Sequence, residues 1–241
     1  MTSPIKRRAL ITGASSGIGK ATALIFAKAG IDVALVSRSQ SKLEEVATAA
    51  REAGVNAKAY VLDLAKLEQV KTGIGAIAAD FAPIDILVNN AGIGYTRPLS
   101  ETALSDWQYV IDLNLTSVFQ CILGILPAMR DRQRGTIINV ASIAGQQPFP
   151  DWGAYSVSKA GLIALSKTLA IEERSYGIRV ATICPGAVNT PLWDADTVQV
   201  DLNRSAMLTP EIVAQSILHA AVLPEQAFIE SMTLMPSAGA L

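Results

Sequence analysis

Short apolar runs alternate with amphipathic stretches along the whole 241-residue chain. The runs at 8–12, 32–36, 57–62, 84–88, 136–140, 178–183 and 227–234 are mostly Val, Ile, Leu and Ala. Continuous apolar runs of this length read as strands covered on both faces. The stretches at 18–29, 41–53, 67–80, 105–130, 152–175 and 210–222 hold the helical period instead. Gly30 and Gly54 stand where two of them should end, as C-terminal glycines do. Ser105 is the expected N-cap of the long fourth helix, and Thr209 followed by Pro210 that of the last.

Strand–helix alternation without linker, repeat or low-complexity segment predicts an α/β fold. The expected architecture is a single doubly wound domain over 1–241 with helices on both faces of a parallel sheet. Ligands of such sheets sit at the carboxyl ends of the strands. The motifs that carry chemistry here all fall at such ends.

Bulk properties exclude several classes. Half of the chain is hydrophobic, the net charge is −1 and no block of like charges occurs, so nucleic acid is not an expected partner. Lys6-Arg7-Arg8 is a short solvated lead-in to the first strand. No uninterrupted apolar run reaches the ~18 residues of a membrane span, and no apolar leader precedes the first strand. A cytoplasmic enzyme is expected. Cys121 and Cys184 read as buried thiols, His219 as a surface or structural residue on the last helix. With one histidine and two scattered cysteines, no metal site is expected.

Thr12-Gly13-Ala14-Ser15-Ser16-Gly17-Ile18-Gly19 links the first strand to the first helix. Glycines let such a turn run tight against a pyrophosphate, and the helix start offers free N–H groups and partial positive charge. The spacing is G-x-x-x-G-x-G. In dinucleotide-binding sheets an acid after the second strand takes a ribose 2′-hydroxyl, whereas an arginine there takes a 2′-phosphate. This chain has Ser37-Arg38-Ser39, with Lys42 beyond, and Asp32 lies at the wrong end of the strand. The expected cofactor is NADP(H), with NAD(H) the alternative.

Tyr155 and Lys159 lie four residues apart, which stacks them on one helix face. An ammonium close to a phenol favours the phenolate and is expected to draw the tyrosine pKa down toward neutrality. That pairing would make a general acid or base for carbonyl chemistry.

The glycine turn, Asn89-Asn90-Ala91-Gly92, Ser142, Tyr155-x-x-x-Lys159 and Pro185-Gly186 together resemble the short-chain dehydrogenase/reductase family, in order and spacing, over nearly the whole chain. The resemblance implies seven parallel strands in the order 3-2-1-4-5-6-7. It implies that Tyr155 is the proton donor in reduction, that Lys159 tunes it and binds the nicotinamide ribose, and that Ser142 bonds the substrate oxygen. Asn114, within Asp112-Leu113-Asn114-Leu115, would mark a helix break that extends the proton relay. By the same resemblance Gly13, Ser15, Ser16, Gly17, Ile18 and Gly19 hold the pyrophosphate. Some members with basic NADP sites carry a basic residue where Ser16 stands. Asp63-Leu64 would meet the adenine, although Asp63 also reads as an N-cap. Asn90, Ala91 and Gly92 would pass the ribose, and Pro185, Gly186, Val188 and Thr190 would hold the carboxamide.

Between Ser142 and Tyr155 lie Gln147 and Trp152, expected with Ile93, Tyr95, Leu192 and Trp193 to wall the substrate site; residues 186–209 form an expected lid. Most of the chain resembles 3-oxoacyl-carrier-protein reductases, and Arg130, Arg132, Arg134 and Arg174 could meet an acidic carrier. The ending Ile229-Glu230-Ser231-Met232-Thr233-Leu234-Met235-Pro236 is closer to NADP-dependent 3-hydroxy-acid and serine dehydrogenases, which stands as an alternative. The resemblance also implies a homo-oligomer, dimer or tetramer, paired through the helices at 105–130 and 152–175. A non-catalytic nucleotide sensor on the same scaffold is the alternative of another class.

Overall fold

The computed structural model of the protein describes residues 7–200 and 203–239, so Lys6 of the basic lead-in and residues 201 and 202 of the expected lid lie outside it. Its strands are β1 (Arg8–Thr12), β2 (Asp32–Ser37), β3 (Ala57–Val61), β4 (Ile86–Asn89), β5 (Gly135–Val140), β6 (Ile178–Pro185) and β7 (Ser231–Leu234). They form one sheet in the order β3-β2-β1-β4-β5-β6-β7, every neighbouring pair parallel. The order reverses between β1 and β4, which opens a crevice at their carboxyl ends.

Side chains of successive strand residues point to opposite faces, and each face has its own core. Ala9, Ile11, Val33 and Leu35 pack under α1 (Gly17–Lys28), α2 (Gln40–Glu52) and α7 (Pro210–Val222), with Phe26 and Leu43. Leu10, Ala34 and Leu87 face the other way, under α3 (Leu67–Asp80), α5 (Ser117–Asp131) and α6 (Gly153–Glu172), with Ile122 and Met129.

The long fourth helix is interrupted. It runs as α4 (Leu104–Ile111), then a π-helical turn over Asp112–Thr116, then α5. The expected break at Asn114 is therefore present. Its N-cap is Ala103, not Ser105: Ala103 is extended and its carbonyl already accepts from Trp107, so Ser105 lies inside the first turn. By length and composition the joined stretch Leu104–Asp131 could cross a membrane, with a mean hydropathy of 1.6 over its most apolar window. Scattered polar positions interrupt its apolar run, and half of that window is buried in the fold.

Two other boundaries differ from expectation by more than two residues. The last strand is only Ser231–Leu234, because Ala227 is drawn into a turn with Pro224 and its carbonyl accepts from Arg179. Helix α6 ends at Glu172, where Glu173 turns inward to pair with Arg130 and the chain leaves through a left-handed Gly177. Cys121 and Cys184 are free and buried, and burial pushes the Cys121 thiol up to about 12. His219 is exposed in the last turn of α7.

Candidate active site

The turn after β1 is built by close approach. Gly13 is left-handed at φ 65°, and a Cβ there would stand 2.9 Å from the Ala91 Cα. At Gly19 a Cβ would lie 2.2 Å from the Gly13 carbonyl oxygen, so Gly19 shapes the turn from behind and does not line the cleft. Thr12 locks this turn to the end of β4: its Oγ1 accepts from the Asn90 and Ala91 N–H groups at 3.0 and 3.1 Å. Asn90 answers by donating from Nδ2 to the Thr12 carbonyl at 3.1 Å. In sequence Thr12 stands out only by its place at a strand end. Asn89 turns away from the cleft and donates to Asn139 at 2.9 Å beneath the sheet.

Ser16 caps α1 without a side-chain bond, so the first N–H groups of the helix stay open toward the crevice. One cleft of about 740 Å³ runs from there to the substrate side. Gly13, Ser15, Ser16, Gly17 and Ile18 line its base, Ser37, Arg38, Ser39 and Lys42 its β2 end, and Asp63 and Leu64 its β3 end. Arg38 makes no ion pair or hydrogen bond among the described residues. Asp63 is not the N-cap of α3, a position held by Lys66; its Oδ1 instead closes a local turn on the Ala65 N–H at 3.1 Å. Asn90, Ala91, Gly92, Pro185, Gly186, Val188 and Thr190 line the middle of the cleft, and Ser142, Tyr155 and Lys159 its floor.

Ser142 follows β5. Its Oγ accepts from the Ala144 N–H at 3.1 Å, which leaves the hydroxyl proton available to an oxygen in the cleft. Lys159 is buried, and its Nζ donates to the Val140 carbonyl at 3.0 Å and stands 5.7 Å from the Tyr155 ring centroid. Burial lowers its pKa to about 8. The expected lowering of Tyr155 is not found in the protein alone. Burial raises the phenol, and only a hydrogen bond with Ser142 works against it. Desolvation is the larger of these two effects.

Asn114 lies behind this floor and is fully buried. Its Oδ1 accepts from the Ile93 N–H at 2.8 Å, and its Nδ2 donates to the Ile93 carbonyl at 2.9 Å and to Ser158 at 3.1 Å. The π turn aims the amide inward, and the bare Gly92 lets it approach Lys159: a Cβ there would sit 2.9 Å from Asn114 Oδ1 and 3.6 Å from Lys159 Nζ.

On the substrate side Ile93, Trp152, Leu192 and Trp193 line the cleft. Gln147 does not; its N–H bonds back to Ile143 and its side chain is exposed. Tyr95 also faces elsewhere, packed on Val110 and Ala154 with its hydroxyl on Asp106 at 2.9 Å. Arg204, unremarked in sequence, ties the loop by donating to Asp194 and to the Thr190 carbonyl, each at 2.6 Å.

The four arginines considered for a carrier lie at the other end of the sheet. Arg130 pairs with buried Glu173, Arg132 bonds Asp85 at 3.0 Å, and Arg134 stands 3.8 Å from Glu225. Arg132, Arg134 and Arg174 line a separate cavity of about 430 Å³ there, together with Arg179, which donates to carbonyls after α7. Among the described residues no group of three or more His, Cys, Asp or Glu could hold a metal ion.

A glycine turn at the crevice, with a serine, a tyrosine and a lysine on the floor of the same cleft, defines an oxidoreductase that works between carbonyl and alcohol. Residues 7–200 match the family model described as short chain dehydrogenase, and the chain belongs to that family. It is 37% identical over 243 residues to a 3-oxoacyl-[acyl-carrier-protein] reductase of Synechocystis, covering 99% of this chain and 98% of that protein. A second reductase of that name, from Thermotoga maritima, is 36% identical over 218 residues, 88% of this chain and 89% of its own. Among solved structures, an alcohol dehydrogenase of the archaeon Thermococcus sibiricus complexed with 5-hydroxy-NADP superposes with a TM-score of 0.87 at 29% identity, covering 96% of this chain and 97% of that one. A variant of the actinorhodin polyketide ketoreductase with NADPH gives 0.87 at 29% identity, with both chains fully covered.

Proposed function

We propose that the protein is an NADPH-dependent ketoreductase that reduces a 3-oxoacyl thioester to the 3-hydroxyacyl product. One observation carries this reading: Arg38, the open start of α1 and the Ser142–Tyr155–Lys159 group all line one continuous cleft. The cofactor fits the residues present. The free N–H groups of α1 and the Ser15 and Ser16 hydroxyls suit a pyrophosphate. Arg38 between two serines, with no carboxylate among them, suits a 2′-phosphate. Relatives named for 3-oxoacyl-carrier substrates, and neighbours solved with NADP-type ligands, support it.

Bound in this cleft, the nicotinamide supplies the hydride for the carbonyl carbon. Ser142 donates to the carbonyl oxygen and holds it beside Tyr155. Burial keeps Tyr155 protonated, so its Oη gives the proton that the new alkoxide needs. The phenolate left behind is stabilised by the Lys159 ammonium, whose direction the Val140 carbonyl sets. Asn114 holds Ile93 and the back of this floor in place.

Leu104, Tyr109, Phe119 and Ile171 are exposed on α4, α5 and α6, with Leu104 at 79% and Ile171 at 72%. Their apolar faces support self-association as a dimer or tetramer, which light scattering would show as a mass above the 25.4 kDa of one chain.

The test is NADPH consumption over a panel of 3-oxoacyl thioesters, simple ketones and semialdehydes, with 3-hydroxy acids run in reverse and NADH in parallel. Turnover of the thioesters with preference for NADPH is expected. Turnover of 3-hydroxy acids alone would favour the dehydrogenase alternative; cofactor binding without any turnover would favour a sensor.

A further inference from the structure

The loop that closes the substrate side is held differently at its two edges. Along one edge it is hydrogen-bonded to the segment after β4. Thr96 N–H donates to the Thr197 carbonyl at 2.8 Å, Thr197 Oγ1 to the Gly94 carbonyl at 2.8 Å, and Gln199 N–H to Thr96 Oγ1 at 2.7 Å. At its base, a bridge pairs Val188 with Leu208.

The other edge meets α6 through aromatic rings. Trp193 lies in the short turn Pro191–Asp194, and its indole N–H donates to the Val188 carbonyl at 2.7 Å, which sets the tilt of the ring within its own loop. The ring stands edge-on to Trp152, 5.7 Å between centroids at 73°. Trp152 is the N-cap residue of α6 and stands edge-on to Tyr155 at 5.2 Å and 66°. The three rings form a row from the loop to the proton donor.

These edges open at different cost. Parting the threonine clasp strands N–H and C=O groups that must find new partners. Parting two rings breaks dispersion and edge contacts only, and each ring offers an apolar surface to whatever enters between them. An extended alkyl tail has the chemistry to replace that contact; a polar or charged group does not.

We propose that Trp152 and Trp193 form a gate that the alkyl tail of the substrate must part, and that this pair sets the tail length accepted. The proposal rests on the ketoreductase reading above. With the rings touching, a short tail fits behind them, and a longer one passes only by separating them.

The experiment measures kcat/KM on N-acetylcysteamine thioesters from 3-oxobutanoyl to 3-oxododecanoyl. The wild type is expected to decline along the series, and Trp193→Ala to raise the long-to-short ratio by about tenfold or more. Trp193→Phe, which keeps a ring, should stay near the wild-type profile and guards against a misfolded alanine variant. Tryptophan emission is the second readout: two of the three tryptophans form the gate, so 3-hydroxydodecanoyl thioester should shift wild-type emission more than the 3-hydroxybutanoyl one. Length profiles that run parallel in wild type and Trp193→Ala would overturn the gate. If no 3-oxoacyl thioester is reduced but simple ketones are, the substrate reading fails by itself; the gate is then decided on 2-alkanones of rising length, where a profile unmoved by Trp193→Ala rejects it.

Discussion

Lys159 Nζ is bonded to the Val140 carbonyl at 3.0 Å, so the amine beside Tyr155 is anchored by backbone before any ligand arrives. That anchor fixes where the charge sits but does not prevent its loss. With its pKa lowered to about 8, the amine of the free protein is charged below that value and neutral above it. Measured for NADPH, kcat/KM reports the free enzyme. It should be level at lower pH and fall as pH rises through about 8. A profile level to well above that value would contradict the assignment.

The same burial predicts a stability effect of definite sign. The folded-state pKa of Lys159 lies below its ordinary value of 10.5, so the unfolded chain binds more protons between the two, and stability from this group rises with pH across that window. Replacing Lys159 with Met removes a penalty of about 3 kcal/mol below the window but leaves the Val140 carbonyl unpaired, at about 1–3 kcal/mol. In urea unfolding the variant should match or exceed wild type at neutral pH, then lose that standing as pH approaches 10.5, while turnover is abolished. An equal loss of stability at both ends of the range would argue against a buried amine.

Tyr155→Phe removes one oxygen and leaves the ring against Trp152. A positioned general acid is worth about 10²–10⁴ in rate. kcat should drop by that order while NADPH affinity, titrated by fluorescence, stays within about threefold, since each ordinary binding contact is worth only ~1 kcal/mol. Residual activity near the wild-type level would place the proton elsewhere.

Arg38→Ala should raise KM for NADPH by about 10–100-fold and leave NADH nearly unchanged, the scale of one lost charge-assisted bond. An equal effect on both cofactors would mean that Arg38 supports the loop and does not read the phosphate.

Gly13 and Gly30 offer a controlled pair. Both are left-handed, at φ 65° and 78°, but a Cβ at Gly13 meets Asn90 and Ala91 while one at Gly30 meets nothing within 4 Å. Gly30→Ala should cost about 1–2 kcal/mol from backbone strain alone. Gly13→Ala should cost clearly more in chemical denaturation and weaken NADPH binding. Equal losses would show that the turn relaxes freely.

The strand order and the cleft residues were legible because each depends on local signals: apolar runs, glycines at strand ends, and a tyrosine and lysine at helical spacing. What stayed hidden depends on distant partners. Ala227 left the last strand because Arg179, far back in the chain, takes its carbonyl. Gln147 and Tyr95 carried the right composition for a wall but point elsewhere, a matter of loop geometry that no periodicity encodes. Arg204 and the clasp between Thr96 and Thr197 join segments about a hundred residues apart or lie in a loop without pattern. The tyrosine pKa is raised where its spacing predicts a lowering, because a spacing reveals a neighbouring charge but not how far both groups are removed from water.

The π-helical turn at Asp112–Thr116 acts as a phase shift. One extra residue in a turn rotates everything after it by ~100°. Upstream, Val110 seals the small cluster around Tyr95; downstream, Cys121, Ile122 and Ile125 fill the sheet-side core. No unbroken α-helix with this sequence serves both orientations. Deleting a single residue there would therefore do more than move Asn114: it would turn the apolar stripe of α5 off the sheet.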